Sequence, residues 1–374
     1  MKATRNVIIS IIVSMCFVIP VIASDNEDFE AYLRQQNEAF SSYLDEQERD
    51  FEKFKADIMQ KWGDFVGSTQ KKWVLYDNDK MSRSHVDFEK GTVTIDILLP
   101  AEEKQPIKVA QKKIEKQLKK TLSNNWPSKK NPLAGQILVE EKQKLSKKKV
   151  EAFVRQELIK KKVKELIKKK PEIKKLPPTK DKVAKQKVTV SFNLVPNHLK
   201  IRAERYKPTV LKYASKRNID PSIVFGMIHT ESCFNPMARS HIPAFGLMQI
   251  VPASGGVDAY QFVYKKKKKP TPKQLYEPEF NIRLGVAYID KIKNVYFKKV
   301  ENETSAYLMT VAAYNTGIGN VSKAFTGRTS IPPATKKANT MTPKQVHRQL
   351  MDHLTYEEPK HYIQRVFGRS KMYR

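Results

Sequence analysis

Apolar and polar positions change their period several times along the chain, and each change marks an element. Between Asp28 and Trp62 the sequence is polar apart from a sparse stripe, in which Phe29, Phe40 and Phe51 lie eleven residues apart, as do Tyr32, Tyr43 and Phe54. Eleven residues are about three helical turns, so these aromatics share one side of a long helix, where core packing explains them better than ligand stacking. After Trp62 the period shortens to two. Trp73 to Tyr76, then His85, Val86 and Phe88, the turn Glu89-Lys90-Gly91, and Thr92 to Leu99 predict a β-hairpin and a small sheet. Helical spacing with many lysines returns over residues 102–123 and 148–169, on either side of a stretch holding Trp126-Pro127 and Asn131-Pro132. A Pro- and Lys-rich segment from Pro171 to Lys187 leads into one more predicted strand, Lys187 to Leu194. Beyond Tyr206 helical periodicity dominates.

The composition shifts near residues 195–205, and 374 residues exceed what one core usually organises. The division expected is an export segment at 1–23, an α+β domain with basic helices at 24–200, and a second, mainly helical domain at 201–374. Lys2 and Arg5, the apolar run Val7 to Ile22, and Val21 with Ala23 at the end fit a cleaved signal peptide better than a spanning helix. The mature protein is then exported. Cleavage removes Cys16 and leaves Cys233 without an intramolecular partner, so no disulfide framework forms. Met15 disfavours lipid attachment at Cys16. Lys and Arg number 70 against 39 Asp and Glu, a formal charge of +31. That balance implies a polyanionic neighbour, for which wall carboxylates, anionic lipid head groups and nucleic acid would all serve, and export argues against nucleic acid. The same lysine runs also serve as an ordinary solvated face.

The first chemical signal is the segment Asp220 to Ser232. Asp220 is a good N-cap and Pro221 fits the first helical position, so a helix begins there. Val224, Met227, Ile228 and Glu231 then fall on one stripe, which puts a carboxyl among core-facing side chains. Burial and the negative end of the helix dipole both raise its pKa, so Glu231 can hold a proton near neutral pH and donate it. A purely structural glutamate fits this helix equally well.

The residues from Glu231 onward carry a resemblance. Glu231-Ser232, Phe234, Pro236, Ser240 nine residues after the glutamate, and Gly246-Leu247-Met248-Gln249 resemble the lytic transglycosylase family. Asn281-Ile282 with Gly285 and Tyr288, then Ala313-Tyr314-Asn315-Thr316-Gly317, continue its pattern in order, and Glu357-Glu358 through Tyr362 to Val366 resemble its closing motif. Pro359 there replaces a usual Thr, and the run Lys265 to Lys269 replaces a more varied loop. Trp62-Gly63, Lys71 to Val74, Val86 to Glu89 and Gly91 resemble the first domain of membrane-bound members.

The resemblance implies a goose-type, lysozyme-like fold for the second domain, and peptidoglycan glycan strands as substrate. It implies Glu231 as acid and then base, with Ser240, Met248, Gln249, Tyr314, Asn315, Glu358 and Tyr362 binding substrate, and no metal or cofactor. The bond between MurNAc and GlcNAc would break without water, leaving 1,6-anhydroMurNAc ends. A periplasmic enzyme associated with the outer membrane is expected, its basic first domain touching the membrane or wall surface. The residues themselves leave other readings open. Met248 and Tyr314 suit a plain core, Ser240 a loop, and Asn315 a turn. An ordinary glycosidase needs two carboxylates, and neither the Glu231 helix nor the Gly-Leu-Met-Gln segment supplies a second. A hydrolase sharing the acid and a non-catalytic wall-binding protein remain alternatives.

Overall fold

The computed structural model describes residues 49–122, 132–133, 136–137, 157–179, 183–240 and 244–374. The expected export segment with Cys16, the aromatic repeat before residue 49 and Trp126-Pro127 lie outside the described residues. Residues 49–62 are helical (α1), and Gln60–Arg374 form one compact unit. Within it an α+β region is followed by a mainly helical one, the fold class expected from the sequence.

The α+β region is an antiparallel sheet with strand order β1-β2-β3-β5-β4, made of β1 (Lys72–Tyr76), β2 (Ser82–Asp87), β3 (Thr92–Pro100), β4 (Glu172–Leu176) and β5 (Lys185–Asn193). The predicted hairpin is β2–β3. Its turn is held by the Asp87 carboxylate, which accepts from the Glu89 and Lys90 N–H groups at 3.1 and 2.8 Å. Alternation along β3 sends Val93, Ile95, Ile97 and Leu99 to the core with Val188 and Val190 of β5, under α2 (Pro106–Thr121) and α3 (Glu157–Lys168). Strand β4 corrects the sequence reading, which left Pro171 to Lys187 as a Pro- and Lys-rich segment. Glu172 to Lys175 are all exposed, so this edge strand has no buried face to impose alternation, and its lysines guard the open edge.

The helical region runs through α4 (His198–Lys216), α5 (Pro221–Ser232), α6 (Val257–Tyr264), α7 (Pro272–Leu275), α8 (Pro278–Asp290), α9 (Glu303–Thr316), α10 (Ile318–Thr326), α11 (Ile331–Asn339), α12 (Pro343–His353) and α13 (Glu357–Ser370). The start of α5 is as the sequence dictates: the Asp220 carboxylate accepts from the Ser222 N–H at 2.8 Å, with Pro221 at the first turn. Helix α5 is buried from Ser222 to Ser232. Gly226 lets α13 lie directly on it, since a Cβ there would come within 2.6 Å of the Val366 carbonyl oxygen.

Sheet and helical region meet at a fully buried arginine, Arg202 of α4. Its guanidinium lies 5.2 Å from the Phe88 ring centre and donates to the carbonyls of Phe88 (2.5 Å) and Cys233 (3.2 Å) and to the Gln136 side-chain oxygen (2.7 Å). Cys233, which ends α5, packs into the apolar core of the sheet region, against which Leu199 and Met237 also lie.

Candidate active site

Glu231 lies in the last turn of α5 and is 9 % exposed. The Tyr362 hydroxyl, brought over it by α13, donates to Glu231 Oε1 at 2.7 Å. Burial pushes the Glu231 carboxyl up to about 7, against the opposing influence of the Tyr362 hydrogen bond; the Glu358 charge pushes the same way as burial and Arg365 opposes it. With Tyr362 holding one carboxyl oxygen, the other is left to carry a proton. The apolar stripe read from the sequence thus does produce a carboxyl that stays neutral to near pH 7.

Loop 245–249 is tied to α5, α8 and α9, and its backbone is pinned by a side chain from each. Ser232 Oγ donates to the Leu247 carbonyl at 2.8 Å, tying the loop to α5. The Asn281 side chain of α8 accepts from the Met248 N–H and donates to the Phe245 and Leu275 carbonyls, all at 2.8 Å. The Tyr314 hydroxyl of α9 donates to the Met248 carbonyl at 2.8 Å, and its ring lies 5.4 Å from that of Tyr288. The Tyr314 phenol is pushed well above its ordinary pKa, chiefly by burial and then by the Glu231 charge, so it stays a hydrogen-bond donor. Gln249 holds a left-handed backbone at φ 47°. Its amide nitrogen donates to the Ala238 and Gly246 carbonyls at 3.1 and 2.9 Å, and its buried Oε1 has no hydrogen-bond partner among the described residues.

The expected site residues therefore fall into groups. Glu231 and Tyr362 are in contact, Tyr314 is bonded to the Met248 carbonyl, and Gln249 follows Met248 in the pinned loop. The Met248 side chain is fully buried, so its backbone carbonyl is the part bonded to Tyr314. Ser240 Oγ accepts from the Ala244 N–H at 3.1 Å, closing a loop whose residues 241–243 lie outside the described ones. Asn315 and Glu358 are exposed. Glu358 pairs with Arg365 at 2.5 Å, a residue the sequence reading passed over, although it stands seven after Glu358 and three after Tyr362 on one helical face. Tyr288, legible in the sequence only as part of a pattern, packs its ring against that of Tyr314.

Gly246 sits at φ 77°, and a Cβ there would overlap the Leu275 carbonyl oxygen and Asn281 Nδ2. Gly246→Ala is expected to destabilise the protein by at least about 2 kcal/mol in denaturant unfolding, through strain and overpacking combined. A variant as stable as the parent would mean that Asn281 does not pin this loop.

A family model described as the transglycosylase SLT domain matches residues 208–334, and one described as the N-terminal domain of membrane-bound lytic murein transglycosylase C matches residues 34–205. Among curated proteins, the membrane-bound lytic murein transglycosylase C of Histophilus somni strain 2336 is 37 % identical over 185 residues, 50 % of this chain and 50 % of its own length. The protein of that name from Serratia proteamaculans strain 568 is 37 % identical over 187 residues, 50 % of this chain and 51 % of its own. The matches thus span about half the length of these relatives. Among solved structures, the 70 kDa soluble lytic transglycosylase of Escherichia coli is 23 % identical with a TM-score of 0.35, over 47 % of this chain and 25 % of that one.

Proposed function

We propose, because this chain belongs to the lytic transglycosylase family, that it cleaves the glycan strands of peptidoglycan at the MurNAc-GlcNAc bond without water. The observation that carries the reading is the buried, Tyr362-bonded Glu231, whose carboxyl is neutral up to about pH 7. Protonated Glu231 donates to the glycosidic oxygen and the GlcNAc leaves. The MurNAc acetamido group stabilises the positive centre at C1, and the Glu231 carboxylate then takes the proton of the MurNAc 6-hydroxyl as that oxygen attacks C1. One carboxyl serves twice, as acid and as base. The products are a GlcNAc 4-hydroxyl end and a 1,6-anhydroMurNAc end. Tyr362 keeps Glu231 Oε1 occupied, so the donated and recovered proton passes through Oε2. The unpartnered Gln249 Oε1 supplies an acceptor for a substrate N–H or O–H, and Ser240, Tyr314, Asn315 and Glu358 complete the binding walls. Mass spectrometry of the soluble products from peptidoglycan sacculi tests this reading. Anhydro-ended muropeptides are expected; reducing MurNAc ends would make the protein a hydrolase.

The proposed division of labour gives residues 201–374 the catalysis and residues 24–200 attachment to the wall or membrane of the periplasm, in keeping with relatives whose name calls them membrane-bound. Among the described residues no helix is long and apolar enough to cross a membrane. Lys108, Lys112 and Lys116 on α2, and Lys160, Lys164 and Lys168 on α3, stand exposed at four-residue intervals and form cationic stripes. Binding of the full chain to sacculi is expected to fall several-fold between about 0.05 and 0.5 M salt; salt-insensitive binding would sink the electrostatic contact.

A further inference from the structure

Directly after Glu231-Ser232, two consecutive non-glycine residues hold left-handed backbone: Cys233 at φ 50° and Phe234 at φ 62°. Such conformations cost free energy for residues with a Cβ, and they persist where the surroundings over-determine them. Much of what holds this turn comes from the sheet region. Arg202, anchored on Phe88 and Gln136, donates to the Cys233 carbonyl at 3.2 Å. The next residue but one, Asn235, donates from its side chain to the Gln70 carbonyl, just before β1, at 3.1 Å.

A second set of contacts grips the last turn of α5 from behind. His229 precedes Glu231 by two residues and therefore lies on the opposite face of the helix. Its carbonyl accepts from Arg369 of α13 at 3.1 Å, and its ring Nδ1 lies 2.9 Å from the Tyr373 hydroxyl. The other Arg369 nitrogen pairs with Glu89 of the β2–β3 turn at 3.2 Å, and Glu89 pairs with Lys71 at 2.6 Å. Helix α5 is thus clamped between the C-terminal helix and the sheet at the turn that carries Glu231.

We infer that Arg369, Arg202 and the β2–β3 turn are positioning elements for catalysis: the sheet region fixes the strained turn after Glu231, and through it the depth at which the carboxyl meets Tyr362. This rests on the reading of Glu231 as the reacting acid. None of the clamp residues needs to touch substrate. Their effect is on the placement of one carboxyl, for which an error of about an ångström costs up to about 100-fold in rate.

The test uses the full chain in a Cys16→Ser background, so that Cys233 is the only thiol, with Arg369→Gln, Glu89→Gln and the conservative Arg369→Lys. In folded Arg369→Gln, kcat is expected to fall roughly tenfold with KM changed by less than about twofold. The alkaline limb of its pH profile should move to lower pH, because a looser turn admits water to Glu231. Labelling of Cys233 by a thiol reagent should become faster. Glu89→Gln should move all three readouts the same way by less, and Arg369→Lys should recover most of kcat. Parental kcat and an unshifted pH profile in folded Arg369→Gln, beside an active wild type, would overturn the positioning role. An inactive wild type would instead overturn the reaction itself, and with it anything said to position Glu231 for it.

Discussion

Glu231→Gln is expected to lower the release of muropeptides from sacculi by on the order of 10⁴-fold, because one substitution removes both the general acid and the general base. The amide keeps an oxygen to accept from Tyr362, so the wall geometry should survive and the loss should lie in kcat. The pH dependence of the wild type is set by the same group. The proton donor is the neutral carboxyl, whose pKa burial has pushed to about 7, so kcat/KM should fall as pH rises above about 7. The variant should also be the more stable protein in alkali. A carboxyl whose folded pKa lies above its unfolded value contributes stability that is complete below about 4.5 and is lost as pH rises to about 7. Glutamine does not titrate, so its advantage should open across that window and reach about 3 kcal/mol above it. Thermal unfolding at pH 4.5 and pH 8 measures this directly. Equal stability differences at both pH values would mean that Glu231 is solvated and carries an ordinary pKa.

Arg202→Met is expected to cost about 3 kcal/mol or more in urea unfolding. The guanidinium has no carboxylate among its three hydrogen-bond acceptors, and burial pulls its pKa down to about 10. Removing an unpaired buried charge is favourable, but it strands the Phe88 and Cys233 carbonyls and the Gln136 amide oxygen in the interior, each at about 1 to 3 kcal/mol. The stranded acceptors outweigh the relief. A change within about 0.5 kcal/mol would mean that the sheet and α4 are held together by apolar contact alone.

Local chemistry was legible in the sequence and long-range chemistry was not. The start of α5 was readable because an N-cap, a proline and an apolar stripe act within one or two turns, and the same stripe exposed Glu231 as the anomaly in it. The hairpin β2–β3 was readable for the same reason. Strand β4 was missed because an exposed edge carries no alternation. Tyr362 was singled out by resemblance alone, since the periodicity of α13 cannot say that its hydroxyl will meet a carboxyl 131 residues earlier in the chain. Arg202 drew no notice: a basic residue among 70 looks like surface until Phe88, Gln136 and Cys233 are brought around it. Asn281 was noticed as part of a pattern, but its work of pinning loop 245–249 depends on a fold that packs α8 beneath it.

Digestion of sacculi in H₂¹⁸O, with mass spectrometry of the released muropeptides, decides between the two fates of the MurNAc C1 centre. If Glu231 delivers the 6-hydroxyl of the same sugar, the new MurNAc ends contain no ¹⁸O; one ¹⁸O at each new end would show that water is the nucleophile and contradict the transglycosylase mechanism.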